Sequence, residues 1–371
     1  MKIYTLTCHD VYNYGASLQA FALQKYLLDK GHDAKIINYK PDYIDARYRF
    51  SWFITPSSKY YQKCKNNFLL HLFYVVRRYL IQYKTISRKL AFDTFTSKYL
   101  SVTRKYSSYL DLCHDAPEGD VYIVGSDQVW NNSPLLNGWD AAFFLQFGNN
   151  RTKRVSYAAS FGSTKECSDL MAKWIKSLDA VSIREKSSMH FLDEMDINGM
   201  VVCDPVFLLD SKVWINTLGL KRNKEKYVLI YNLSGDNKEM LSHAKELAKR
   251  CGYKVHYLAT QHKQKGFVNI NGAGPKKFLE EIMNAECVFS DSFHATAFSI
   301  ILNVPFFTYR FGNDRASRRM TDLLDNLKLM DRYNPQSIPE DFSEFNVDSE
   351  DLKRYIDASK NWLDTQINTA R

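Results

Sequence analysis

The first forty residues alternate between strand and helix, and this pattern limits the possible folds more than any other feature of the sequence. A β-rich apolar run covers Lys2 to Cys8, and apolar residues at helical spacing follow it up to Lys30. Another β-rich run begins at Asp33 and ends before Pro41. A strand, a helix and a strand within so short a stretch predict a βαβ unit, and hence a parallel sheet.

The alternation continues and divides the chain into two α/β blocks. At 371 residues the chain is too long for one ordinary core. We predict a first Rossmann-like domain over residues 1–210, interrupted near residues 43–108 by a helical insertion rich in Tyr, Phe, Lys and Arg. A second Rossmann-like domain is predicted over residues 211–335, followed by a helical tail over residues 336–371. Two such domains in tandem predict a ligand cleft between them, outside the carboxyl ends of the strands.

The charge of the protein and its cysteine content indicate which class of ligand it binds and in which cell compartment it is expected. The 50 basic and 41 acidic residues give a formal net charge of +9, which attracts anions. No known nucleic-acid-binding motif is present, so we expect a small anion or an anionic lipid surface and no nucleic acid. The seven cysteines are dispersed without a CxxC pair, as in reduced proteins. With no signal peptide and no apolar run long enough to cross a bilayer, a cytoplasmic protein is expected.

The loop after the first strand is a candidate anion-binding loop. Asn13, Tyr14 and Gly15 follow the strand and open the helix. A glycine at this point lets backbone N–H groups approach a ligand, and the helix dipole favours negative charge. The alternative is a plain tight turn, which is common between a strand and a helix.

A second polar loop follows the apolar strand predicted over Val121 to Gly125. Ser126, Asp127 and Gln128 can form hydrogen bonds with sugar hydroxyls, and Trp130 could offer a face for stacking. The alternative is an Asx-type turn followed by a core tryptophan.

Three arginines are candidates for binding an anionic ligand. Arg184 stands at the end of a short strand, where its guanidinium can hold a carboxylate or phosphate in a bidentate manner. An ion pair with Glu185 is the alternative. Arg315 and Arg319 lie near a helix start, where the helix dipole disfavours cations, and an anionic ligand would explain their position. The alternative is a solvated basic surface.

A histidine at a predicted strand-to-helix junction is the candidate for proton transfer. His294 ends the polar run that begins at Ser290 and includes Ser292. A lone histidine is usually structural, but this one lies at a strand end that should face the cleft. No HExxH motif and no acidic cluster appears in the sequence, so no metal site is predicted.

Several motifs in a fixed order resemble those of polysaccharide pyruvyl transferases. The series runs from the first strand to about Leu329, and each motif is weak by itself, whereas the ordered set is specific. In chain order the motifs are Asn13-Tyr14-Gly15-Ala16-Ser17-Leu18-Gln19-Ala20, Gly125-Ser126-Asp127-Gln128-Val129-Trp130, Ser156-Tyr157-Ala158-Ala159-Ser160-Phe161-Gly162, Ser182-Ile183-Arg184-Glu185, Asp204-Pro205-Val206-Phe207, Asp291-Ser292-Phe293-His294-Ala295 and the stretch from Arg315 to Leu324.

The resemblance implies a GT-B-like fold and an enzyme that uses phosphoenolpyruvate as donor, with no metal and no other cofactor. Such an enzyme transfers the enolpyruvyl unit to a sugar of a polysaccharide precursor as a cyclic ketal and releases phosphate. The first domain would hold the acceptor and the second the donor. The expected catalytic residues are His294 and Asp127. The expected donor-binding residues are Arg184, Arg315, Arg319 and Ser292, and those of the acceptor or anion loops are Asn13, Tyr14, Gly15, Ser126, Gln128 and Trp130.

One position departs from the family pattern. Many relatives carry an arginine two residues before the histidine, where this chain has Ser292. A donor-binding charge is then missing, or Arg315 or Arg319 supplies it. Two other functions stay open. A GT-B glycosyltransferase that uses a nucleotide sugar would share the expected fold, and the missing arginine supports a non-catalytic sugar-binding member of an assembly complex.

The stretch from Asn67 to Lys84 is a predicted amphipathic helix with basic residues. Acceptors in polysaccharide assembly are often attached to lipid, so this helix could contact the inner face of the cell membrane. The alternative is that its apolar residues pack on the first domain while Arg77 and Arg78 are solvated.

Overall fold

The computed structural model describes residues 1–45, 60–84, 86–132, 140–235, 237–258, 263–312, 314–339, 341–342, 345–347 and 349–369. Two five-stranded parallel sheets organise the chain, one in each half. A smaller parallel pair accompanies the first sheet. No helix in the described part of the chain is long and apolar enough to span a bilayer.

The first half contains seven strands and nine helices among the described residues. In chain order these are β1 (Lys2–Leu6), α1 (Tyr14–Asp29), β2 (Asp33–Tyr39), α2 (Asp42–Asp45), α3 (Tyr61–Lys65), α4 (Phe68–Lys84), α5 (Ile86–Tyr99), β3 (Val102–Tyr106), α6 (Tyr109–His114), β4 (Val121–Val124), β5 (Lys153–Ser156), α7 (Asp169–Lys176), β6 (Val181–Ile183), α8 (Met189–Glu194), β7 (Gly199–Val201) and α9 (Ser211–Leu218).

The second half repeats the α/β alternation. Its elements are β8 (Tyr227–Tyr231), α10 (Lys238–Cys251), β9 (Lys254–Leu258), β10 (Val268–Ile270), α11 (Pro275–Met283), β11 (Cys287–Ser290), α12 (Phe293–Ile301), β12 (Phe306–Thr308), α13 (Asp314–Asn326) and α14 (Glu350–Asn368).

Both large sheets have the same strand order. It is β3-β2-β1-β4-β5 in the first half and β10-β9-β8-β11-β12 in the second, and every pairing is parallel. In each sheet the order reverses between the first and fourth strands, and a ligand crevice forms at such a point, outside the carboxyl ends of the strands. The predicted α/β fold with two Rossmann-like units facing a cleft, as in GT-B-like proteins, is confirmed.

The two halves share one apolar core. Leu23 of α1, Trp214 of α9 and Phe298 of α12 are buried in the same cluster as the strand residue Leu229. The ring of Tyr14 stacks on Phe278 of α11 with centroids 4.4 Å apart. Helix α1 therefore packs on both halves and fixes its N-terminus at their junction.

The last helix packs back on the first half. The Tyr26 hydroxyl donates to Asp364 of α14 at 2.9 Å, and the backbone N–H of Cys203 donates to Ser359 of α14 at 2.9 Å. The predicted helical tail thus packs on α1 and on the loop after β7. The exact domain boundaries at residues 210 and 335 stay predictions.

Strand β3 lies inside the segment predicted as a helical insertion. It forms the edge of the first sheet and pairs with β2, with Ile36 opposite Val102. The strand was not predicted because Thr103, Arg104 and Lys105 are polar, as an edge strand permits. Helices α3, α4 and α5 occupy the described middle of this segment.

Candidate active site

A cleft of about 270 Å³ lies between the two sheets, at the point where the strand order reverses in each. Its wall includes Asn13 from the loop after β1 and Asp127 from the loop after β4. The second half contributes Leu233 after β8 and Ser292 after β11. All four loops leave the carboxyl ends of central strands, so the topology itself brings them to one place.

Two helices begin at this cleft, one from each half. Asn13 caps α1, since its side-chain oxygen accepts from the N–H of Ala16 at 3.2 Å. Ser292 caps α12 in the same way, accepting from the N–H of Ala295 at 3.5 Å. The first N–H groups of a helix have no partner within the helix, and the dipole makes this end positive. Two such ends at one cleft favour an anionic ligand.

Gly15 and His294 meet where these helix ends converge. A Cβ atom added to Gly15 would lie only 1.9 Å from Nδ1 of His294. The glycine is therefore required by the close approach of the imidazole to helix α1. His294 lines the cleft and is largely buried. Its Nε2 has no hydrogen-bond partner among the described residues.

A buried acid stands behind His294. An oxygen of Asp204 lies 3.7 Å from His294 Nε2 and accepts hydrogen bonds from Arg184 Nη1 at 2.7 Å and Ser126 Oγ at 3.0 Å. Burial alone would raise the pKa of Asp204, but His294 and Arg184 hold that pKa far below its usual range. An ionised Asp204 places a buried negative charge next to the imidazole.

Arg184 is enclosed in this network and does not line the cleft. Its Nε donates to Glu185 at 3.0 Å, and its guanidinium lies 4.7 Å from the ring centroid of Phe293. Burial lowers the pKa of Arg184, but Glu185 and Asp204 outweigh that effect and raise it. The ion pair with Glu185, which the sequence left open as an alternative, is present. Only Nη2 of Arg184 lacks a hydrogen-bond partner among the described residues.

Arg319 of α13 faces the cleft. Its Nη1 lies 4.0 Å from a carboxylate oxygen of Asp127. With the Gln128 amide turned so that its oxygen faces Arg319, both terminal nitrogens would donate to that oxygen at 3.1 Å. Burial, and then the charge of Arg184, lower the pKa of Arg319. Asp127, Glu185 and Asp204 act in the opposite direction and raise that pKa.

Asp127 adopts an unusual backbone conformation. Its φ is +70°, in the left-handed region that non-glycine residues rarely occupy. Its carbonyl oxygen accepts from the N–H groups of Val129 at 2.8 Å and Ser160 at 3.1 Å, which holds the loop. Such local strain is common where a side chain must be presented at a site.

Besides Arg184, two predicted site residues do not line the cleft. Ser126 is buried, and its hydroxyl donates a hydrogen bond to Asp204. Trp130 is not a stacking surface but a core residue, because its indole is buried, stacks on Phe144 at 5.9 Å and donates to the Phe143 carbonyl at 3.0 Å. The side chain of Arg315 lies outside the described residues.

Other residues of the site were not predicted. Asp204 belongs to one of the family motifs, but the sequence did not indicate that its carboxylate lies next to His294. Asp291 is buried, and burial raises its pKa although it accepts from the N–H groups of Leu233 at 2.7 Å and Ser234 at 2.9 Å. Aromatic wall residues had been indistinguishable from core residues by pattern. They are Tyr43, Tyr231, Phe278, Phe293 and Phe311.

The polar groups at the cleft are not arranged as metal ligands. Among the described residues, no group of three or more His, Cys, Asp or Glu side chains could hold a metal ion. The described wall therefore offers helix N-termini, one arginine, one histidine and carboxylates.

These features define a two-domain Rossmann-like protein whose inter-domain cleft suits an anionic ligand. The chain belongs to the polysaccharide pyruvyl transferase family, whose model matches residues 13–312. The resemblance noted in the sequence is thereby confirmed.

Solved structures with low sequence identity span the whole chain. A UDP-GlcNAc 2-epimerase from Neisseria meningitidis bound to UDP-GlcNAc is 12% identical, with 100% of each chain covered and a TM-score of 0.48. A UDP-GlcNAc 2-epimerase from Methanocaldococcus jannaschii is 13% identical over 96% of this chain and 92% of that one, with a TM-score of 0.43. Arabidopsis thaliana UGT89C1 complexed with UDP-L-rhamnose is 9% identical over 99% and 97%, with a TM-score of 0.46. A search of curated proteins finds no match.

Proposed function

We propose that the protein transfers the enolpyruvyl unit of phosphoenolpyruvate to a sugar of a polysaccharide precursor as a cyclic pyruvate ketal. The observation that carries this proposal is the meeting of His294 with two helix N-termini and Arg319 in one cleft. Family membership supports it independently. No cofactor beyond the donor substrate is needed for this reaction.

The donor is a compact anion with a carboxylate and a phosphate. Arg319 and the N–H groups at the start of α12 are suited to hold it, because both present positive charge to the cleft. This accounts for Ser292, which stands where many relatives have arginine. Ser292 caps α12, and Arg319 supplies the cation from another helix. Arg184 acts indirectly, because it donates a hydrogen bond to Asp204 and its guanidinium packs on the ring of Phe293.

The reaction needs one proton donor and one proton acceptor. The donor's methylene carbon gains a proton and becomes a methyl group, and the adjacent carbon becomes cationic. One sugar hydroxyl adds to that carbon, phosphate leaves, and a second hydroxyl closes the ketal. Of the two hydroxyl protons, one balances the proton gained by the methyl group and the other leaves with phosphate.

His294 and Asp127 are the proposed proton carriers. A histidine beside an ionised Asp204 can carry the proton that the methylene carbon receives, or it can bind the departing phosphate. Asp127 is partly exposed at the cleft and can accept a proton from a sugar hydroxyl. Tyr43 and Phe311 offer apolar faces for a sugar ring at the same cleft. The acceptor is proposed to be a capsule or exopolysaccharide precursor, carried on lipid at the cytoplasmic face of the membrane.

Transfer can be tested with phosphoenolpyruvate and a panel of lipid-linked and nucleotide-linked sugars. The expected result is release of inorganic phosphate together with a sugar product that is heavier by the mass of pyruvic acid less one water, seen by mass spectrometry. Consumption of a nucleotide sugar with transfer of a whole sugar unit would show a glycosyltransferase instead. Binding of sugar with no turnover of any donor would show a non-catalytic member.

Replacement of Arg319 by glutamine is expected to weaken phosphoenolpyruvate binding by about 1.5–3 kcal/mol, the usual contribution of a hydrogen bond to a charged group. Isothermal titration calorimetry of the folded variant measures this directly. Arg318→Gln is the matched control, because Arg318 is the next residue of α13 but is exposed to solvent. Equal affinities for the wild type and Arg319→Gln would rule out Arg319 as the donor-binding cation.

A further inference from the structure

Helix α4 presents one continuous apolar stripe to solvent. Its members are spaced by four, three, four and three residues, which places them on a single helical face. Their exposed fractions range from 47% to 74%. We call this the α4 stripe, and it consists of Leu69, Phe73, Val76, Leu80 and Tyr83.

The other side of α4 holds the helix on the protein. Val75 is fully buried, and the ring of Tyr74 lies 5.0 Å from that of Tyr60, which precedes α3. Packing of the helix on the first domain therefore uses these residues and does not use the α4 stripe. Five large apolar side chains on one exposed face form the kind of patch that marks an interaction surface.

The segment around α4 accounts for the whole net positive charge of the protein. Residues 46–92 contain ten of the 50 basic residues and none of the 41 acidic ones, so the rest of the chain has a net charge of −1. Lys63 and Lys65 of α3 and Arg77 of α4 are exposed. Lys89 pairs with Asp93, just beyond this segment, and the remaining positive charge favours an anionic partner.

We propose that the α4 stripe docks the protein on an anionic lipid bilayer. An interfacial helix buries leucine and phenylalanine at the boundary of the acyl chains, while neighbouring lysines and arginines meet acidic headgroups. A nucleic acid could bind the basic residues, but it would not bury the leucines and the valine of the stripe. A second copy of the chain would bring two segments of equal positive charge together, which is unfavourable.

Helix α5 connects this surface to the cleft. Phe92 of α5 stacks on Tyr14 with centroids 5.4 Å apart, and Arg88 donates to the carbonyl of Tyr12 at 3.0 Å. Tyr14 belongs to the cleft wall, so α4 is one helix away from it. Docking would hold the cleft near the membrane surface. The idea that this brings a lipid-carried acceptor to the cleft rests on the proposed function, but the docking proposal does not.

Vesicle flotation of the full chain, without donor or acceptor, tests the proposal. Vesicles of phosphatidylcholine alone are compared with vesicles containing about one third phosphatidylglycerol, at about 0.1 M and about 1 M salt. The wild type is expected to float with the anionic vesicles at low salt. Binding should fall at least about tenfold without phosphatidylglycerol or at high salt, because the electrostatic contribution is removed.

Two variants separate the apolar and the ionic contributions. Leu69→Ser with Phe73→Ser and Leu80→Ser removes the apolar stripe, and Lys65→Glu with Arg77→Glu reverses two exposed charges. Each should reduce binding to anionic vesicles at least about tenfold. Their matched controls, Leu110→Ser with Leu170→Ser and Arg151→Glu with Lys249→Glu, change exposed residues elsewhere and should float like the wild type.

Other outcomes would overturn the proposal. One is a wild type that never floats with anionic vesicles, and another is flotation that is unchanged in the α4 stripe variant. A wild-type dimer in solution that this variant converts to a monomer would identify the surface as a contact between copies. Thermal midpoints near the wild-type value show that a variant is folded. Because no substrate is present, failure of docking leaves the proposed transferase reaction untouched.

Discussion

Replacement of His294 by alanine is expected to lower the turnover number by about 10²–10⁴-fold, the usual contribution of a general acid or base. The imidazole lines the cleft, and its Nε2 lies 3.7 Å from the ionised Asp204. Alanine removes the only histidine of the cleft wall among the described residues. Steady-state phosphate release with phosphoenolpyruvate and a productive sugar acceptor measures the loss.

The close contact with Gly15 provides a sharper test of the same role. Gly15→Ala should lower turnover in the wild type, since the added methyl group must displace the His294 ring. In the His294→Ala background the same change should have little further effect, because no ring remains to be displaced. Independent, additive losses would show that Gly15 acts through the anion loop rather than through His294.

Controls distinguish catalysis from folding. His294 is largely buried, so thermal midpoints must accompany the kinetics, and His294→Gln offers a variant that fills more of the space. His114→Ala changes an exposed histidine of α6 and should leave turnover unchanged. Normal turnover in a folded His294→Gln variant would make His294 a core histidine.

Replacement of Arg184 by methionine is expected to lower the free energy of unfolding by about 3–5 kcal/mol, the usual loss when one partner of a buried ion pair is removed. The change leaves Asp204 and Glu185 buried without their cation. Denaturant unfolding at neutral pH measures the loss. Arg318→Met, which removes an exposed arginine, should change stability by less than about 0.5 kcal/mol.

A second Arg184 variant separates stability from donor binding. Arg184→Lys keeps the positive charge but loses the planar fork that reaches both Asp204 and Glu185. We expect it to be less destabilised than Arg184→Met. A stable Arg184→Lys protein that no longer binds phosphoenolpyruvate would assign Arg184 a direct contact with the donor through its Nη2. Wild-type stability in Arg184→Met would contradict the buried ion-pair assignment.

Much of the fold could be predicted because local signals agree with the tertiary arrangement. Helix α10 (Lys238–Cys251) carries such local signals, since Asn237 caps its start and Gly252 ends it with a φ of +67°. Strand β11 is buried throughout because helices cover both faces of a parallel sheet. Strand β10 gave no such signal, since it is short and only partly buried at an edge.

The sequence by itself determined that polar loops follow the central strands and that these loops share a cleft, because parallel strands direct their carboxyl ends to one edge. Only the tertiary structure decided what each side chain does there. Arg184 and Arg319 both looked like ligand-binding arginines, yet Asp204 and Glu185 neutralise the first, while the second reaches the cleft. Trp130 looked available for stacking but packs inside the core. Burial and charge pairing depend on neighbours that lie far away along the chain, and no local pattern records them.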